Sequence, residues 1–246
     1  MKVNTDAPFK VLPVETDEGT GAWIRRVFPT IYLPHLDPFM LLDEFYLNPP
    51  ATIPDQPHRG FEALTYMLGG AFHHRDNLGN DSIVSAGGAQ HFSAGKGIVH
   101  SELPGSPHLN HGLRLWINLP LGLKNMKPDY QQVDLYAFPE RRAKNVYIRT
   151  IVGKRSPMRI HTPICYLDVT LEHGAVFQET INRNWRGLIY VLENRVHFDG
   201  VELARGEALV LEGGKLKATA SNKARFVLIA GVPQNKPIKR PGFFLD

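Results

Sequence analysis

The chain has 246 residues, 43% of them hydrophobic and 21% charged, which is the balance of a globular protein able to bury a core without covalent staples. Its 28 basic and 24 acidic residues leave a formal net charge of +4. The basic residues are spread along the chain outside any recognisable nucleic-acid module, so we expect no direct nucleic-acid binding. The only cysteine, Cys165, excludes an intrachain disulfide.

The sequence predicts a cytoplasmic location. Met1 to Thr20 has no basic segment followed by an apolar run, and the longest apolar stretches, such as Phe226 to Val232, have the length of a strand. We therefore expect neither a signal peptide nor a membrane span. A single cysteine fits a reducing compartment. The basic stretch Lys236 to Arg240 is too short, and too broken by proline, for a nuclear signal.

Short runs rich in β-branched and aromatic residues follow one another along the chain, and 22 glycines and 19 prolines punctuate them. This pattern is typical of an all-β sandwich or barrel. In chain order, the predicted strands are Ala63–Leu68, Ser82–Ala86, Leu113–Asn118, Val146–Val152, Cys165–Leu171, Leu188–Leu192, Ala208–Leu211 and Arg225–Val232.

A weak internal repeat indicates two similar barrels. The segments Leu64–Gly70 and Leu188–Asn194 are each an apolar strand that ends in a turn, and a short return strand and a glycine-containing turn follow each of them. We therefore predict an N-terminal barrel over residues 1–130 and a C-terminal barrel over residues 131–246.

The segment Leu119–Asn145, rich in Pro, Lys and Tyr, is interpreted as the linker between the two barrels, with a short helical turn around Pro128–Gln131.

Two short segments carry the residue types of a metal site. Residues i and i+2 of a strand point to the same face, so His100 and Glu102 can share one face, and Gln56 and His58 another. If the two faces converge inside a barrel, they form a pocket of two imidazoles, one carboxylate and one amide. Two histidines and a carboxylate form the facial triad of non-haem iron(II) oxygenases.

Several motifs resemble those of the pirin family. Pro57-His58-Arg59-Gly60-Phe61-Glu62 resembles the first cupin motif, and Ser93-Ala94-Gly95-Lys96-Gly97-Ile98-Val99-His100 resembles the second. The resemblance is dense from about residue 20 to residue 121 and weaker beyond. Further matching segments are Asp37-Pro38-Phe39, Leu42-Asp43-Glu44-Phe45, His74-Arg75-Asp76, His100-Ser101-Glu102-Leu103-Pro104 and Leu115-Trp116-Ile117-Asn118-Leu119-Pro120.

The resemblance implies a bicupin, which consists of two jelly-roll type β-barrels in tandem. It also implies one iron in the N-terminal barrel, with iron(II) preferred over other divalent transition metals. The family's four ligand positions fall on Gln56, His58, His100 and Glu102. This chain departs from the family where Gln56 replaces a histidine, because a neutral amide oxygen is a poorer ligand for iron than imidazole. It departs again at His91, where tryptophan is usual; we expect His91 to be part of the barrel wall, and a place in the metal shell is the alternative.

Pirin-like proteins include quercetin 2,3-dioxygenases, and the first hypothesis is an iron-dependent dioxygenase that acts on a flavonol-like aromatic substrate and dioxygen, with Glu102 as the base. The second is a binding module or redox sensor that contacts a protein partner, which Gln56 favours because it weakens the metal site. A non-oxidative metal enzyme is a third reading, since cupins support many chemistries.

The remaining candidate residues receive structural interpretations. Glu62 is expected to form hydrogen bonds rather than to bind metal, and Cys165 to be inert core. The C-terminal barrel is expected to bind no metal because His197 has no neighbouring histidine or carboxylate pair. His73 and His74 are predicted to end a strand in a polar turn, with a substrate-facing role as the alternative. His108 and His111 are predicted to face solvent in a loop.

Overall fold

The computed structural model describes residues 8–18 and 20–236, and it confirms the all-β prediction. In chain order the strands are β1 Phe9–Val11, β2 Val14–Glu18, β3 Thr20–Phe28, β4 Phe39–His58, β5 Phe61–Gly69, β6 Ala71–Asp76, β7 Asp81–Ser85, β8 Ala89–Ser93, β9 Ile98–Pro104, β10 Asn110–Asn118, β11 Asp129–Val133, β12 Glu140–Ala143, β13 Val146–Val152, β14 Ile164–Leu171, β15 Val176–Glu193, β16 Arg195–Phe198, β17 Val201–Ala204, β18 Ala208–Thr219 and β19 Ala224–Gly231.

The described helices are two single-turn 3-10 helices, Leu121–Leu123 and Leu135–Ala137. No helix within the described ranges is long and apolar enough to cross a membrane. Residues 1–7 and 19 of the segment on which the expectation of no signal peptide rests, and residues 237–240 of the basic stretch, lie outside the described residues.

The described residues form two compact units. The N-terminal unit contains residues 14–137, 160–162 and 234–236, and the C-terminal unit contains residues 8–13, 138–159 and 163–233. Compared with the predicted division at 130/131, the N-terminal unit includes residues 131–137 and two short segments from the second half. Residues 8–13 are part of the C-terminal unit because β1 pairs with β18.

In the N-terminal unit, the long strand β4 belongs to two sheets. Its first half pairs with β10 and β3, and its last residues pair with β9. A register irregularity between Ile53 and Gln56 separates the two halves. Pro54 lies in that gap and has no backbone N–H to give to a ladder, which suits a break in pairing. One sheet has the order β11-β8-β5-β10-β4 and the other the order β4-β9-β6-β7.

The segment predicted as a helical turn, Pro128–Gln131, is instead the start of β11, so that prediction is wrong. Asp129 to Val133 pair with Ser93 to Ala89 of β8 along the whole strand. The segment has little apolar alternation, and pairing at the sheet edge provides partners for its backbone groups. The predicted linker therefore contains β11, β12 and both 3-10 turns.

Apolar side chains fill most of the interior of the N-terminal unit. Strand β9 shows which residues of a strand point inward. Ile98, His100 and Glu102 are buried, whereas Val99 between them is exposed. Strict alternation means that every second residue of β9 points inward. Two of these three inward positions are polar, and buried polar groups of this kind mark a functional site more often than apolar ones do.

The C-terminal unit is a second β-structure with the strand order β12-β13-β14-β19-β15-β18-β16-β17. Its core is almost entirely aliphatic and aromatic, and Phe177 and Phe226 meet edge to face with ring centroids 5.4 Å apart. All of the strands predicted for this half overlap observed strands.

Candidate metal centre

Three neighbouring strands turn one polar face toward the interior of the N-terminal unit. In the observed register, His100 lies opposite Gln56 of β4 and Asp76 of β6, and Glu102 lies opposite His74 of β6. Residues that pair directly share a face, and so do residues two apart on one strand. That face therefore carries the side chains of Gln56, His58, His74, Asp76, His100 and Glu102.

The centre of this face is a cluster of His74, His100 and Glu102. One nitrogen or oxygen from each of the three lies within 4.8 Å of the other two, and all three residues are buried. His74 Nδ1, His100 Nδ1 and Glu102 Oε2 have no hydrogen-bond partner. A buried polar atom without a partner costs about 1–3 kcal/mol, so three such atoms in the three residues of one cluster favour a bound cation.

Of the four predicted ligand positions, the structure brings His100 and Glu102 into this cluster and places His58 beside it. The His58 and His100 ring centroids are 4.9 Å apart. Phe61 and Trp116 meet the buried His58 ring edge to face, with ring centroids 5.1 and 5.2 Å away. This aromatic packing fixes the orientation of the imidazole and excludes water from its surroundings.

Gln56, the fourth predicted position, is half-buried. It lies across the β4–β9 pair from His100.

The polar turn predicted for His74 is wrong, because His74 is a buried residue of strand β6. It was therefore not among the predicted metal ligands. Its Nε2 lies 3.0 Å from Asp76 Oδ2, and its ring stacks on Tyr130 with centroids 4.3 Å apart. Burial lowers the pKa of His74 despite the Asp76 carboxylate. The sequence shows the His-x-Asp spacing of His74 and Asp76, but only the strand register shows that His74 lies opposite Glu102.

Burial sets the charge states of the cluster. It raises the pKa of Glu102 to about 7, although Arg114 nearby acts in the opposite direction. It also lowers the pKa of His100 well below the usual value, and the neighbouring His58 and His74 add to this. A neutral His100 imidazole has a lone pair available for a metal. Gln90 Nε2 donates to Glu102 Oε1 at 2.9 Å, so Oε2 is the atom that remains open.

A buried charge network accompanies the cluster in the same unit. Arg114 contacts the carboxylates of Glu18 and Asp43, and Arg26 forms two hydrogen bonds with Asp43, at 2.9 and 2.7 Å. Each buried charge thus has an opposite charge beside it, which is the condition under which buried ions are tolerated. Arg114 also attracts the Glu102 carboxylate and so favours its ionised form.

Glu62 and His91 lie outside the cluster, and the structural role predicted for both is confirmed. The Glu62 carboxylate accepts hydrogen bonds from the backbone N–H groups of His161 and Thr162, at 2.8 and 3.0 Å, and faces His91 Nε2 at 3.2 Å. His91 Nδ1 accepts from Gln131 at 3.1 Å. Both ring nitrogens of His91 are therefore engaged in the barrel wall.

The prediction for His111 is wrong, whereas His108 is exposed as expected. His111 lies on β10, stacks on Tyr46 with centroids 4.3 Å apart, and contacts Glu44 Oε1 at 2.9 Å. In the sequence, the loop residues that precede His111 obscure the fact that it belongs to β10, whose other residues are mostly buried.

In the C-terminal unit, Cys165 packs against the apolar core, and burial raises the pKa of its thiol to about 12, so it is an inert thiol as predicted. His197 was expected to stand alone, and the structure corrects this: its Nε2 lies 3.3 Å from Glu202 on the neighbouring strand β17. Both side chains of this pair are about half exposed.

Comparison with known proteins identifies relatives along nearly the whole chain. The family profile described as Pirin matches residues 14–117, and the profile described as Pirin C-terminal cupin domain matches residues 166–245. A pirin-like protein from Solanum lycopersicum is 39% identical over 246 residues, which cover 96% of this chain and 84% of the relative.

Two solved structures extend the comparison to the fold. Quercetin 2,3-dioxygenase from Acinetobacter baumannii has a TM-score of 0.88 at 24% identity, covering 96% of this chain and 90% of that chain. Bacterial pirin YhhW from Escherichia coli, in complex with nickel(II), has a TM-score of 0.78 at 20% identity, covering 92% and 99%. At these identities the likeness shows the fold, two cupin barrels in one chain.

Proposed function

The chain belongs to the pirin family, and on this premise we propose that it is an iron(II)-dependent dioxygenase acting on flavonol-like aromatic substrates such as quercetin. The observation that carries the proposal is the buried convergence of imidazoles and one carboxylate in the N-terminal unit, with three partnerless ligand atoms. The similarity of the fold to quercetin 2,3-dioxygenase supports the choice of substrate class.

The residues present fit a transition metal. The unpartnered atoms are two imidazole nitrogens and a carboxylate oxygen, a donor set that suits iron, nickel, copper or zinc better than calcium or magnesium. In this proposal His100 and Glu102 of that set, together with the neighbouring His58, hold the ion. The nickel(II) complex of bacterial pirin supports a divalent metal in this fold, so nickel(II) is the alternative to iron(II).

Glu102 is the proposed base. Its Oε1 accepts from Gln90, and in the metal-free protein burial raises its pKa to about 7. On substrate binding Glu102 would leave the ion, and its Oε2 would take the proton from the hydroxyl of a flavonol placed within hydrogen-bonding reach. A bound iron(II) would make that hydroxyl more acidic and provide a redox partner for dioxygen. Quercetin and dioxygen would give a ring-opened ester and carbon monoxide.

The test is a quercetin assay on protein loaded anaerobically with iron(II), followed by air. We expect loss of quercetin absorbance together with carbon monoxide release. We also expect both to be absent in His100→Ala and retained in His197→Gln, which changes a half-exposed histidine of the other unit. Protein with one iron per chain that leaves quercetin unchanged would contradict the activity while leaving the metal site intact.

A second candidate function is a metal-dependent binding protein that contacts a protein partner without turnover. Gln56 favours it, because this position lies opposite His100 and offers a neutral amide where the family has imidazole. Reproducible capture of one partner by metal-loaded protein, lost in His100→Ala and retained in His197→Gln, would support it. Quercetin turnover by the same sample would favour the dioxygenase.

A further inference from the structure

His74 is held so that one ring nitrogen is free and fixed in direction. Its Nε2 faces the Asp76 carboxylate at 3.0 Å. A carboxylate only accepts hydrogen bonds, so the ring hydrogen belongs on Nε2 and the lone pair on Nδ1. His74 Nδ1 is buried and has no hydrogen-bond partner, and His74 belongs to the cluster with His100 and Glu102.

The groups behind His74 are themselves rigid. Asp76 Oδ1 accepts from the backbone N–H groups of Leu78 and Asn80, and both of its oxygens accept from Asn80 Nδ2, at 3.0 and 2.8 Å. The Asp76 side chain is fully buried. A carboxylate that holds the far nitrogen of an imidazole is the arrangement that orients metal-bound histidines in proteins.

The flat face of the ring is also fixed. Tyr130 stacks on His74 with an interplanar angle of 13°, and the Tyr130 hydroxyl is anchored 2.7 Å from Ser82 Oγ. The imidazole is therefore held at its edge by Asp76 and at its face by Tyr130, and the direction of its free nitrogen is fixed.

Gln56 is the contrasting position. It is half-buried and offers a neutral amide, which binds iron or nickel less well than imidazole. An imidazole from β6 is thus available on the same interior face on which β4 supplies, besides His58, only the Gln56 amide.

Resting on the metal site proposed above, we infer that His74 Nδ1 is a direct metal ligand. The protein ligands of this chain are then His58, His74, His100 and Glu102, and Gln56 lies outside the coordination sphere. Two donors about 2.1 Å from one ion lie at most about 4.2 Å apart. The ligand atoms of the cluster lie within 4.8 Å of one another, so small side-chain rotations close the site.

The first test counts the nitrogens on the metal in the unaltered protein. Copper(II) is the probe, because nitrogen nuclei couple to its unpaired electron, and protein with ¹⁵N-labelled histidine identifies the imidazoles by pulsed electron paramagnetic resonance. We expect three coordinated imidazoles. Two imidazoles would overturn the assignment of His74, and this reading does not depend on the folding of any variant.

The second test measures nickel(II) affinity by competition with a chelator. His74→Gln should weaken binding about 10–100-fold, in the range seen when groups that support a metal site are lost, and should remove one coordinated imidazole. The matched control is His73→Gln, the neighbouring histidine, whose ring contacts Asp81 on the other face of β6. It should bind like wild type.

The outcomes separate this inference from the function on which it rests. Wild-type protein that takes up neither nickel(II) nor copper(II) overturns both. One ion per chain with an affinity and imidazole count unchanged in His74→Gln overturns the inference alone. A comparable loss of affinity in Gln56→Ala would also overturn it, because Gln56 would then be a ligand.

Discussion

Replacing Glu102 by glutamine removes a buried charge and keeps the oxygen to which Gln90 donates. Burial raises the pKa of the Glu102 carboxyl from 4.5 to about 7. A carboxyl with a folded pKa above its unfolded pKa favours folding while it is protonated. Its contribution is complete below the unfolded pKa and is lost as pH rises through the folded pKa. Metal-free wild-type protein should therefore lose stability between about pH 4.5 and about pH 7 through Glu102.

The size of the effect follows from the two pKa values, 4.5 and about 7. Linkage gives a loss of about 2.5 kcal/mol from this one group between about pH 5 and about pH 8. The Glu102→Gln variant has no carboxyl at this position and escapes the loss. The unfolding free energy of the variant, minus that of wild type, should thus rise by about 2.5 kcal/mol over the same range.

Denaturant unfolding of the metal-free proteins at several pH values measures this difference. The control is Glu202→Gln, a half-exposed carboxylate of the other unit, whose difference in stability from wild type should be small. If the difference in unfolding free energy between Glu102→Gln and wild type stays constant from acidic to alkaline pH, the prediction is wrong. Glu102 would then titrate alike in the folded and unfolded chains.

Three further predictions concern metal binding and the groups around it. Because the metal must displace a proton from Glu102, nickel(II) affinity should fall about tenfold per pH unit below about pH 7 and level off above it, measured by chelator competition. Asp76→Asn should lower that affinity about tenfold by weakening the support of His74, whereas Asp81→Asn, at an exposed carboxylate, should not. Arg114→Met should destabilise the metal-free protein by about 1–3 kcal/mol in denaturant unfolding, because Glu18 loses the guanidinium it contacts and buried Asp43 is left, among the described residues, with Arg26 alone. It should also move the pH midpoint of metal uptake upward, since Arg114 favours the ionised Glu102.

The strands of apolar alternating sequence were predictable, and those held by pairing alone were not. Val146–Val152 is rich in β-branched residues and matches β13 at both ends. In contrast, β11 is polar and exists through its pairing with β8. The long β4 contains prolines that normally argue against a strand interior, and its division between two sheets depends on its neighbours β10 and β9.

The residues of the candidate site likewise include some that the sequence could place and one that it could not. The i, i+2 spacing correctly put His100 and Glu102 on one face of β9, because that relation is local to a strand. His74 could not be placed by spacing, because its meeting with Glu102 depends on which strand lies beside β9. Strand order is a tertiary property, and a single sequence does not contain it in any local pattern.

The central claim is that the buried cluster of the N-terminal unit is a transition-metal centre. Elemental analysis of protein purified without chelators, beside the His100→Ala variant, tests it most directly. We expect close to one iron or nickel per chain in wild type and only traces in folded His100→Ala. Traces in both, persisting after incubation with iron(II) or nickel(II), would contradict it, as would an equal metal content in the two proteins.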